Sequence, residues 1–546
     1  MKPYIEILND QQWQNWHRTL HTGGEVTKLL KPYNQFEQQA VSPDRPFIAG
    51  MAGLQAIIAK AKQAQTKVRA YGSKWSLNNI AFTQDYIVDS NQLDYSLIGI
   101  EDNNYVQKDY QGIKDQLAFV QCGVMVKTLN QRLQEKNLAL PTSGASDGQT
   151  FIGAVSTGTH GSAHAIGAME NYVRGIHLVT LDEQLVFLQR ASDPVITDEF
   201  CDWLTNTKLI NDDELFNAAL VGFGSFGLVH GLLIQTEPLY LLEKFVKKMQ
   251  FTPKVKHAIC TMDVEGLGLP KGNELPFHFE VVLNPYYLKK GEEGAFIRVL
   301  YKSKLPTTDF SVQQYQEAAE QSTDLFDASY GINPESFIIK KVLAKAIQVV
   351  LEEEVKPTDG KLIPGLPGQQ FGSDNPPDPT SPAPLPGTSI EISVPLDRVG
   401  DAMDLILKIT KKHPFGAPLA FRYVKNSRAS LAFTQYGPIS VAMEMPGLDD
   451  PLNFASKGHQ AIFDALAESD IPHAYHWGQA LPQNNQWVDQ SYDTKRLNNW
   501  KASRLKLLGE QGCKMFSNKL TEKIGLWAHH QMKRDTSPSV RHSGAA

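Results

Sequence analysis

The stretch GAVSTGTHGS, residues 153–162, combines three glycines, four hydroxyl side chains and one histidine within ten residues. It directly follows the apolar pair Phe151 and Ile152. Glycine lets the backbone approach a ligand closely, and successive backbone N–H groups with hydroxyls form a concavity that suits a phosphate group. A tight polar turn between two strands would have a similar composition. The stretch alone therefore leaves a phosphate-binding loop and an ordinary turn open.

The size and charge of the chain favour a multidomain protein that binds a small molecule. The chain has 546 residues, which predicts about two to four domains. Charged residues make up 21% and the formal net charge is −6, so the charge balance favours neither nucleic acid nor an anionic membrane surface. We therefore expect a small-molecule partner and no nucleic acid.

The cysteines and the N-terminus bear on the compartment. Cys122, Cys201, Cys260 and Cys513 are scattered, without the short paired spacing of a zinc site, and they are too few for a disulfide-stapled secreted scaffold. We expect no metal site and a reducing, cytoplasmic location. Residues 1–18 lack an apolar signal core, and no stretch reaches the roughly 18 apolar residues of a membrane span. A soluble protein is predicted, with peripheral membrane contact left open.

Helices and strands alternate through the first half of the chain, to about residue 240. Hydrophobic periodicity predicts helices over 53–65, 126–138 and 212–220, strands over 67–71, 85–90, 117–124 and 228–236, and a hairpin over 173–188. Glycine-rich turns follow several of these strands. The pattern is typical of a mixed domain with loops available for a ligand.

The second half has a different pattern. Strands are predicted over 275–287, 388–395 and 439–446, with helices over 399–412 and 458–469, which is typical of a separate domain built on an antiparallel sheet. An insertion lies between these strands. Its residues 335–355 predict a strongly apolar helix, and residues 361–387 carry eight prolines and are expected to be extended or disordered. The insertion is either a cap over the substrate mouth or a surface excursion without a role.

GFGSFG, residues 222–227, matches the G-x-G-x-x-G dinucleotide fingerprint. A Rossmann glycine loop follows a strand and opens a helix. Here the preceding residues are predicted to be helical and the following residues to form a strand, so the order is reversed. We interpret this stretch as a helix C-terminus that leads into a core strand.

Three segments together resemble the FAD-binding domain of the vanillyl-alcohol oxidase superfamily. They are VRAYGSKWS at 68–76, the run at 117–162 that ends in TGTHGS, and the run at 213–238. The chain is most similar to the branch of aldonolactone and alditol oxidases, which includes D-arabinono-1,4-lactone oxidase-like enzymes. The resemblance covers most of residues 25–240. It implies an α+β, two-domain flavoprotein with a PCMH-type FAD-binding domain and an antiparallel-sheet substrate domain.

The resemblance also suggests how the chain is divided. Residues 1–240 would be the PCMH-type FAD-binding domain, and residues 241–480 the substrate-binding (cap) domain, with its Pro-rich insertion around 356–387. Residues 481–546 would return to the FAD-binding domain. The C-terminal half follows the same branch more loosely, in motifs such as HAYHWGQ at 473–479.

In this family two glycine-bearing loops flank the FAD diphosphate, which implies the stretches 72–76 and 143–161 here. The implied cofactor-binding residues are Tyr71, Gly72, Ser73, Lys74, Trp75, Ser76, Ser143, Gly144, Gly153, Ala154, Ser156, Thr157, Thr159, His160, Gly161 and Val229. Both loops combine glycine with hydroxyls and follow strands, which agrees with the composition argument. Lys74 either adds a charge to the diphosphate site or is a solvated surface lysine.

The first loop departs from the family pattern at one position. Members with covalent flavin commonly carry histidine two residues after the position of Ser73, where this chain has Trp75. Indole cannot form the histidyl bond to the flavin methyl group, so we expect non-covalent FAD. His160 is implied to be a structural member of the second loop and not a replacement attachment point.

The catalytic end departs from the pattern as well. The branch carries a Glu-x-Arg pair, which is Ala420 and Arg422 here, and the lysine of its HWGK motif is replaced by Gln479. One carboxylate and one ammonium group are therefore absent. We expect Arg422 to orient the substrate or stabilise charge, His476 to act as the base and Gln479 to fix a hydroxyl. A surface ion pair for Arg422 and a packed core position for His476 remain alternatives.

Three glutamates in strand-like runs could supply the missing carboxylate. They are Glu280, Glu391 and Glu444. Each of them could instead face outward from its strand, because side chains alternate between the two faces of a sheet.

The resemblance implies an FAD-dependent oxidoreductase that oxidises a CH–OH group of a sugar alcohol, an aldonolactone or a related alcohol. Hydride would pass to flavin N5, and O2 or another acceptor would take the electrons. One alternative is a type II cholesterol-oxidase-like enzyme that acts on a hydrophobic alcohol. The apolar helix near 337–351 could line the pocket for such an alcohol, or it could touch a membrane or be ordinary core. A second alternative is an FAD-binding protein without turnover. Oxidase and dehydrogenase activity both remain open.

Overall fold

The computed structural model describes residues 1–38, 45–306, 340–371, 386–448 and 454–527, together with residues 311, 312, 315 and 383. The strands, in chain order, are β1 (Pro3–Trp13), β2 (Gly24–Phe36), β3 (Val68–Tyr71), β4 (Tyr86–Asp89), β5 (Ser96–Ile98), β6 (Leu117–Gln121), β7 (Leu138–Ala139), β8 (Val173–Val179), β9 (Leu185–Gln189), β10 (Lys208–Asn211), β11 (Leu228–Gln235), β12 (Glu237–Pro238), β13 (Tyr240–Met249), β14 (His278–Leu283), β15 (Ala295–Lys304), β16 (Ile363–Gly365), β17 (Gly387–Pro395), β18 (Leu419–Lys425), β19 (Ile439–Leu448) and β20 (Ala474–Tyr475). The α-helices are α1 (Phe47–Gln63), α2 (Val126–Gln134), α3 (Phe151–Thr157), α4 (Asp198–Trp203), α5 (Asp213–Leu220), α6 (Pro253–Thr261), α7 (Lys340–Glu354), α8 (Pro367–Phe371), α9 (Val399–Lys412), α10 (Phe454–Ala467), α11 (Trp487–Ser491), α12 (Thr494–Met515) and α13 (Lys519–Lys523).

Two sheets and one central helix organise the N-terminal half. The first sheet has the strand order β1-β2-β4-β3, and the second has the order β10-β9-β8-β11-β6-β5. Helix α1 contacts β1 and β2 of the first sheet and also β8 and β11 of the second. Its buried Leu54, Ile57 and Ile58 supply the apolar surface for this contact. The helix therefore lies between the two sheets and joins them into one core.

Most predicted elements of this half are observed, but one local expectation is wrong and one hairpin was not predicted. Residues 153–157 belong to α3, so this part of the opening stretch is neither a loop nor a turn between two strands. The hydroxyl of Thr150 accepts a hydrogen bond from Gly153 N at the start of the helix, and Gly158 ends it at φ 81°. The β1–β2 hairpin was not predicted at all. It is rich in Gln, Asn and Lys, and most of its residues are only partly buried.

The C-terminal half contains an eight-stranded sheet with the order β16-β13-β15-β14-β18-β19-β17-β20. Each pairing in it is antiparallel, as predicted. Alternate residues of β18 point to opposite faces. Tyr423 faces α6, because its hydroxyl donates to the carbonyl of Ile259. Arg422 therefore lies on the other face, which looks toward the N-terminal half.

The described part of the insertion packs on this second face of the sheet. Helix α7 was predicted over 335–355 and is observed over 340–354; residues 335–339 lie outside the described residues. The apolar part of its contact with the sheet includes Leu343, Ile347 and Leu351, which pack against Val282, Phe296 and Ala420. Because Ala420 and Arg422 are two residues apart in one strand, α7 and Arg422 share a face.

The expectation for the proline-rich segment is confirmed at residues 363–365 and wrong at residues 367–371. Residues 363–365 are extended, in strand β16, which pairs with β13 at the edge of the sheet. Residues 367–371 instead form the short helix α8. The remainder of the segment, apart from 383, 386 and 387, lies outside the described residues.

The C-terminal segment lies against the N-terminal half. Helix α12 packs on α5. Beyond it, the side-chain amide of Asn518 donates to the carbonyl oxygens of Asn79, Ile80 and Phe82 at 2.9–3.0 Å. These bonds satisfy three carbonyls of the segment that follows β3. Within the described residues, no helix is both long enough and apolar enough to cross a bilayer.

Buried histidines predict acid-sensitive stability. Burial lowers the pKa of His17, His230 and His459 to about 3, because it disfavours the imidazolium form. An unfolded histidine has a pKa of about 6.5, so the unfolded chain binds more protons between these two values. The contribution of these histidines to the free energy of unfolding is therefore fully present above about pH 6.5 and is lost as the pH falls toward 3.

Thermal unfolding recorded from pH 7 to pH 5 checks this expectation. The unfolding midpoint should fall as the pH is lowered, and the fall should be shallower in His459→Gln. The exposed His413, which forms no ion pair with a described residue, offers a control variant in His413→Gln, whose slope should stay close to that of the unmodified protein. A midpoint that is constant over this range would contradict the account.

Candidate active site

A large cavity lies between the N-terminal half and the antiparallel sheet. Its volume is about 1540 Å³, including the part that is open to solvent. Its walls come from the segments 70–77, 144–160 and 222–229 on one side, and from strands β17, β18 and β19 on the other.

The loop after β3 supplies one wall. Residues 72–76 all line the cavity. A Cβ atom on Gly72 would lie 2.1 Å from the Thr150 hydroxyl oxygen, so only glycine lets this loop approach α3. The Lys74 ammonium lies 5.2 Å from the centre of the Tyr71 ring, and burial lowers the pKa of this lysine. Lys74 is therefore a partly buried cation at the cavity wall, not a solvated surface lysine.

A buried hydroxyl makes the first loop suitable for a phosphate-bearing cofactor. The Ser73 side-chain oxygen lies in the cavity wall, is buried and makes no hydrogen bond to any described residue. Buried polar groups are normally paired, so an unpaired hydroxyl at a cavity indicates a ligand that supplies an acceptor. Diphosphate oxygens are such acceptors. The residues present therefore fit a dinucleotide such as FAD.

Most of the predicted cofactor residues line the cavity. The exceptions are Ser143, Ala154 and Gly161. Ala154 is buried in the core of the N-terminal half. A Cβ atom on Gly161 would lie 2.5 Å from the carbonyl oxygen of Ser143, so these two residues pack against each other behind the wall. They can shape the site without touching its ligand.

Trp75 is held in an aromatic cluster that was not predicted. Its ring stacks on Trp16 with centroids 5.0 Å apart, and His17 meets it edge-on at 5.0 Å. Trp16 and His17 belong to the β1–β2 connection, and His17 also lines the cavity. The position of Trp75 therefore has a packing role.

The turn at 222–227 also lines the cavity. Phe223, Gly224 and Gly227 all contribute to its wall. The turn lies between helix α5 and strand β11, so the reversed element order is observed and a Rossmann arrangement is excluded here. The glycines of this turn are the sequence feature from which this part of the cavity wall could have been predicted. Glycine permits close approach of the backbone to a ligand, even where the dinucleotide fingerprint does not apply.

Three glutamates surround Arg422 on the face of the sheet that looks into the cavity. Arg422 Nε donates to Glu280 Oε1 at 2.8 Å, and Arg422 Nη1 contacts Glu391 Oε1 at 3.4 Å. Nη1 also bonds Glu444 Oε2. Antiparallel register produces this cluster, because Glu280 pairs with Arg422 and Glu391 pairs with Glu444. All four side chains are buried, so the outward-facing interpretation of the glutamates is wrong.

Glu444 lies beside Ala420, the position at which this chain lacks the glutamate of the family pattern. Glu444 of β19 pairs directly with Ala420 of β18. Side chains of such a pair lie about 4.5–5.5 Å apart at Cβ. A carboxylate from the neighbouring strand therefore lies next to the site that Ala420 leaves empty.

The cluster is ionised, and its charges are balanced internally. Burial raises the pKa of Glu391, but His160, His476 and Arg422 outweigh it and lower this pKa to about 2. Burial likewise opposes ionisation of Glu280, yet Arg422 and its neighbours hold its pKa well below the ordinary value. The surrounding carboxylates raise the pKa of Arg422 against the effect of burial. Arg422 is thus a buried cation, not a surface ion pair.

His160 belongs to this cluster, beyond its implied role in the second loop. Its Nε2 lies 3.1 Å from Glu391 Oε1, and its Nδ1 lies 2.8 Å from the carbonyl oxygen of Gly161. Burial lowers its pKa, but Glu391 and the Gly161 carbonyl raise it above the ordinary value overall. With an acceptor at each ring nitrogen, His160 is held as an imidazolium that donates to both.

His476 lines the cavity but does not suit the role of base. The backbone N–H of Gly478 donates to His476 Nδ1 at 3.0 Å. The ring proton therefore lies on Nε2. Burial lowers the pKa of His476 to about 4, so the ring is neutral near pH 7. His476 presents an N–H donor, which corrects the expectation that it accepts the substrate proton.

Three polar atoms of the cluster remain available to a ligand. Arg422 bonds its neighbours through Nε and Nη1, and its Nη2 has no partner among the described residues. Glu391 uses Oε1, which leaves Oε2 without a described partner. Gln479 donates from Nε2 to Glu444 Oε1 at 3.2 Å, and its buried Oε1 is unpaired in the described part of the chain. The site thus offers a guanidinium donor, a carboxylate oxygen and an amide oxygen.

The overall architecture is similar to that of a solved structure. Cholesterol oxidase from Brevibacterium sterolicum superposes with a TM-score of 0.63, and the match covers 95% of this chain and 97% of that one. Sequence identity is 12%, so the likeness shows the fold alone. The shared fold includes the large antiparallel sheet of the C-terminal half.

The sequence comparisons identify the cofactor-binding part. Residues 49–189 match the model of the FAD binding domain family, which confirms the resemblance and supports FAD as the cofactor. D-arabinono-1,4-lactone oxidase of Candida albicans is 23% identical over 41% of this chain and 36% of its own length. L-gulono-1,4-lactone dehydrogenase of Mycobacterium tuberculosis is 24% identical over 46% of this chain and 47% of its own length. The match to these relatives spans less than half of their length.

Proposed function

We propose that this protein is an FAD-dependent oxidoreductase that oxidises a CH–OH group of a sugar alcohol, an aldonolactone or a related alcohol. The observation that carries the proposal is the cluster of Arg422, Glu391 and Glu444 in the same cavity as the FAD loops. Relatives named as oxidase and dehydrogenase of aldonolactones support the substrate class. The loop at 72–76 and the segment 143–161, which includes helix α3, would hold the cofactor, which supplies a hydride acceptor at N5 of its isoalloxazine ring.

Arg422 binds and polarises the substrate oxygen in this proposal. Its Nη2 is the donor without a described partner, and three carboxylates fix the guanidinium in place. A preorganised donor stabilises negative charge that develops on the oxygen as the C–H bond breaks. His476 Nε2–H is a second donor from the same wall.

Glu391 is the proposed proton acceptor. Its Oε2 is available, and its pKa of about 2 keeps it ionised and ready to accept a hydrogen bond from the substrate hydroxyl. The hydroxyl proton moves to Oε2 as the hydride leaves the carbon. Gln479 Oε1 accepts a hydrogen bond from a second hydroxyl, which would suit a polyhydroxylated substrate.

The charges of the site favour a neutral substrate. Glu280, Glu391 and Glu444 face the cations Arg422, Arg298 and His160. The carboxylates already neutralise these cations, so they would repel an anionic substrate. An uncharged alcohol or lactone avoids that cost.

A hydrophobic alcohol is a second candidate substrate. Helix α7 places Leu343 and Ile347 on the same face of the sheet as Arg422. This apolar surface could line a pocket for a larger alcohol, with the insertion as its cap. It equally packs as ordinary core, so the substrate panel below includes both chemistries.

We also propose the finer features that the resemblance implied. The division at residues 240 and 480 is supported by the packing of α12 on α5. A cytoplasmic location is supported by four cysteines that form no disulfide. O2 or another acceptor would take the electrons from the reduced cofactor.

Non-covalent attachment of FAD predicts how the colour partitions. Trp75 stands in the first loop, packed on Trp16, and indole cannot form the histidyl link. Acid precipitation of the purified protein should therefore release the yellow colour into the supernatant. The absorption spectra of supernatant and pellet check this. Colour that stays in the pellet after washing would show that another residue holds the flavin.

The activity is tested by mixing the FAD-loaded protein with a substrate panel without oxygen. The panel should contain an alditol, an aldonolactone and a sterol, and flavin bleaching is the measurement. Bleaching by an alditol or lactone supports the main proposal, and bleaching by the sterol alone would favour the second candidate. Photochemical reduction provides a control that the bound flavin is competent. Photoreducible flavin that no panel member bleaches would favour an FAD-binding protein without turnover.

A further inference from the structure

Two buried arginines behind the cofactor cavity have no carboxylate partner within the described part of the chain. Arg69 of β3 is 1% exposed and Arg504 of α12 is 2% exposed. Neither guanidinium forms an ion pair with a described carboxylate, and all their hydrogen bonds go to neutral oxygens. Burying a charged group without a counter-charge is costly. A nearby anion would therefore stabilise the charges of these two residues.

Arg69 connects three separate segments of the cavity wall. Its Nη1 donates to the carbonyl of Phe516 at 2.8 Å, and its Nη2 donates to the carbonyl of Ile80 at 2.6 Å and to that of Phe223. Ile80 and Phe223 both line the cavity. A Cβ atom built on Gly224, another cavity residue, would lie 3.7 Å from the central guanidinium carbon. Only the thickness of the turn separates this charge from the cavity.

Arg504 contacts the same turn. Its Nε donates to the carbonyl of Ser225 at 2.7 Å, whereas Arg69 Nη1 reaches the Ser225 hydroxyl at 3.2 Å. The two cations are close enough to repel, and this repulsion adds to burial in lowering the pKa of Arg69 to about 9. The protein thus concentrates two like charges at one point of the wall.

We propose that the diphosphate of FAD is the counter-charge of Arg69 and Arg504. The two arginines would act as positioning residues through the 222–227 turn, and their field would attract the dianion without direct contact. Neutral hydroxyls of the loops would make the hydrogen bonds, and the buried arginines would supply the positive potential. The proposal rests on FAD as the cofactor and is independent of turnover.

Comparison of FAD with riboflavin tests this electrostatic role. Riboflavin has the same ring system but no phosphate. We expect Arg69→Met in the full-length apoprotein to weaken FAD binding about tenfold more than riboflavin binding, as removal of one charge near the dianion would. Arg504→Met should act in the same direction. Fluorescence titration gives both dissociation constants.

Two further variants separate charge from structure. Arg69→Lys keeps the charge but cannot make the same set of hydrogen bonds, so it should lower thermal stability while keeping the FAD-to-riboflavin affinity ratio near that of the unmodified protein. The matched control is Arg190, which is also buried but bonds Asn217 and lies outside the cavity lining. Arg190→Met should leave the affinity ratio unchanged.

Equal loss of affinity for the two ligands in Arg69→Met and Arg504→Met would overturn the proposal and make both residues purely structural. A Lys variant that loses the ratio as fully as the Met variant would do the same. If Arg69→Met does not fold, Arg504→Met and Arg69→Lys still decide the question. These binding measurements do not depend on turnover, so they test this proposal even if the protein oxidises no alcohol.

Discussion

Replacement of Arg422 by methionine is expected to lower the rate of substrate-dependent flavin bleaching about 10²- to 10³-fold while FAD stays bound. Arg422 is the cation whose Nη2 is available in the cavity, and its other donors are fixed by Glu280, Glu391 and Glu444. Methionine fills a similar volume but offers no donor to the substrate oxygen. The interaction that is lost forms mainly in the transition state, so the loss should appear in kcat more than in KM.

A control is needed because Arg422→Met also leaves buried carboxylates without their partner. Arg298 contacts Glu280 at 3.4 Å and does not line the cavity. Arg298→Met should therefore lower thermal stability with little change in the bleaching rate. Rapid mixing without oxygen gives the rates, and the bound flavin spectrum shows whether the site is intact. Equal rates in Arg422→Met and the unmodified protein would contradict the role of Arg422.

Glu391→Gln is expected to lower the same rate about 10²- to 10⁴-fold. Glutamine has nearly the same shape but cannot take the hydroxyl proton. The pKa of Glu391, at about 2, lies far below neutrality because His160, His476 and Arg422 outweigh the effect of burial. This carboxylate therefore stays ionised, and its titration should produce no loss of rate between pH 8 and pH 5.

Glu280 provides the matched carboxylate for this test. It bonds the same guanidinium at 2.8 Å but lies behind it, outside the cavity lining. Glu280→Gln should thus cost much less activity than Glu391→Gln. The bleaching rates of the two variants are compared across the same pH range. A larger loss in Glu280→Gln would show that the cluster acts through its structure, and that Glu391 is not the acceptor.

The regular elements were largely predictable because their signals are local. Apolar spacing predicted α9 over its full observed length, and the strand patterns predicted β17 and β19 to within two residues at each end. The exceptions depend on tertiary context. Helix α3 contains Gly153, Ser156 and Thr157, residue types that favour turns, and it forms because Thr150 caps it and its apolar residues are buried. The β1–β2 hairpin is too polar to show a clear alternation.

The candidate site was predictable only in part, for the same reason. Arg422, His476 and Gln479 were singled out by motif position, and the structure brings all three into one cavity. The grouping of Glu391 and Glu444 around Arg422 depends on the register of three strands that are distant in sequence. No local pattern contains that register. The tautomer of His476 likewise depends on one backbone N–H, that of Gly478.

The most direct test of the central claim is an isotope measurement. The claim is that a CH–OH carbon transfers hydride to FAD beside the Arg422 cluster. The best substrate from the panel, carrying deuterium at that carbon, is mixed with the FAD-loaded protein without oxygen. The account predicts that deuterium slows flavin bleaching in the unmodified protein. Bleaching that is equally fast with the deuterated compound over a range of concentrations would contradict rate-limiting C–H cleavage at this site.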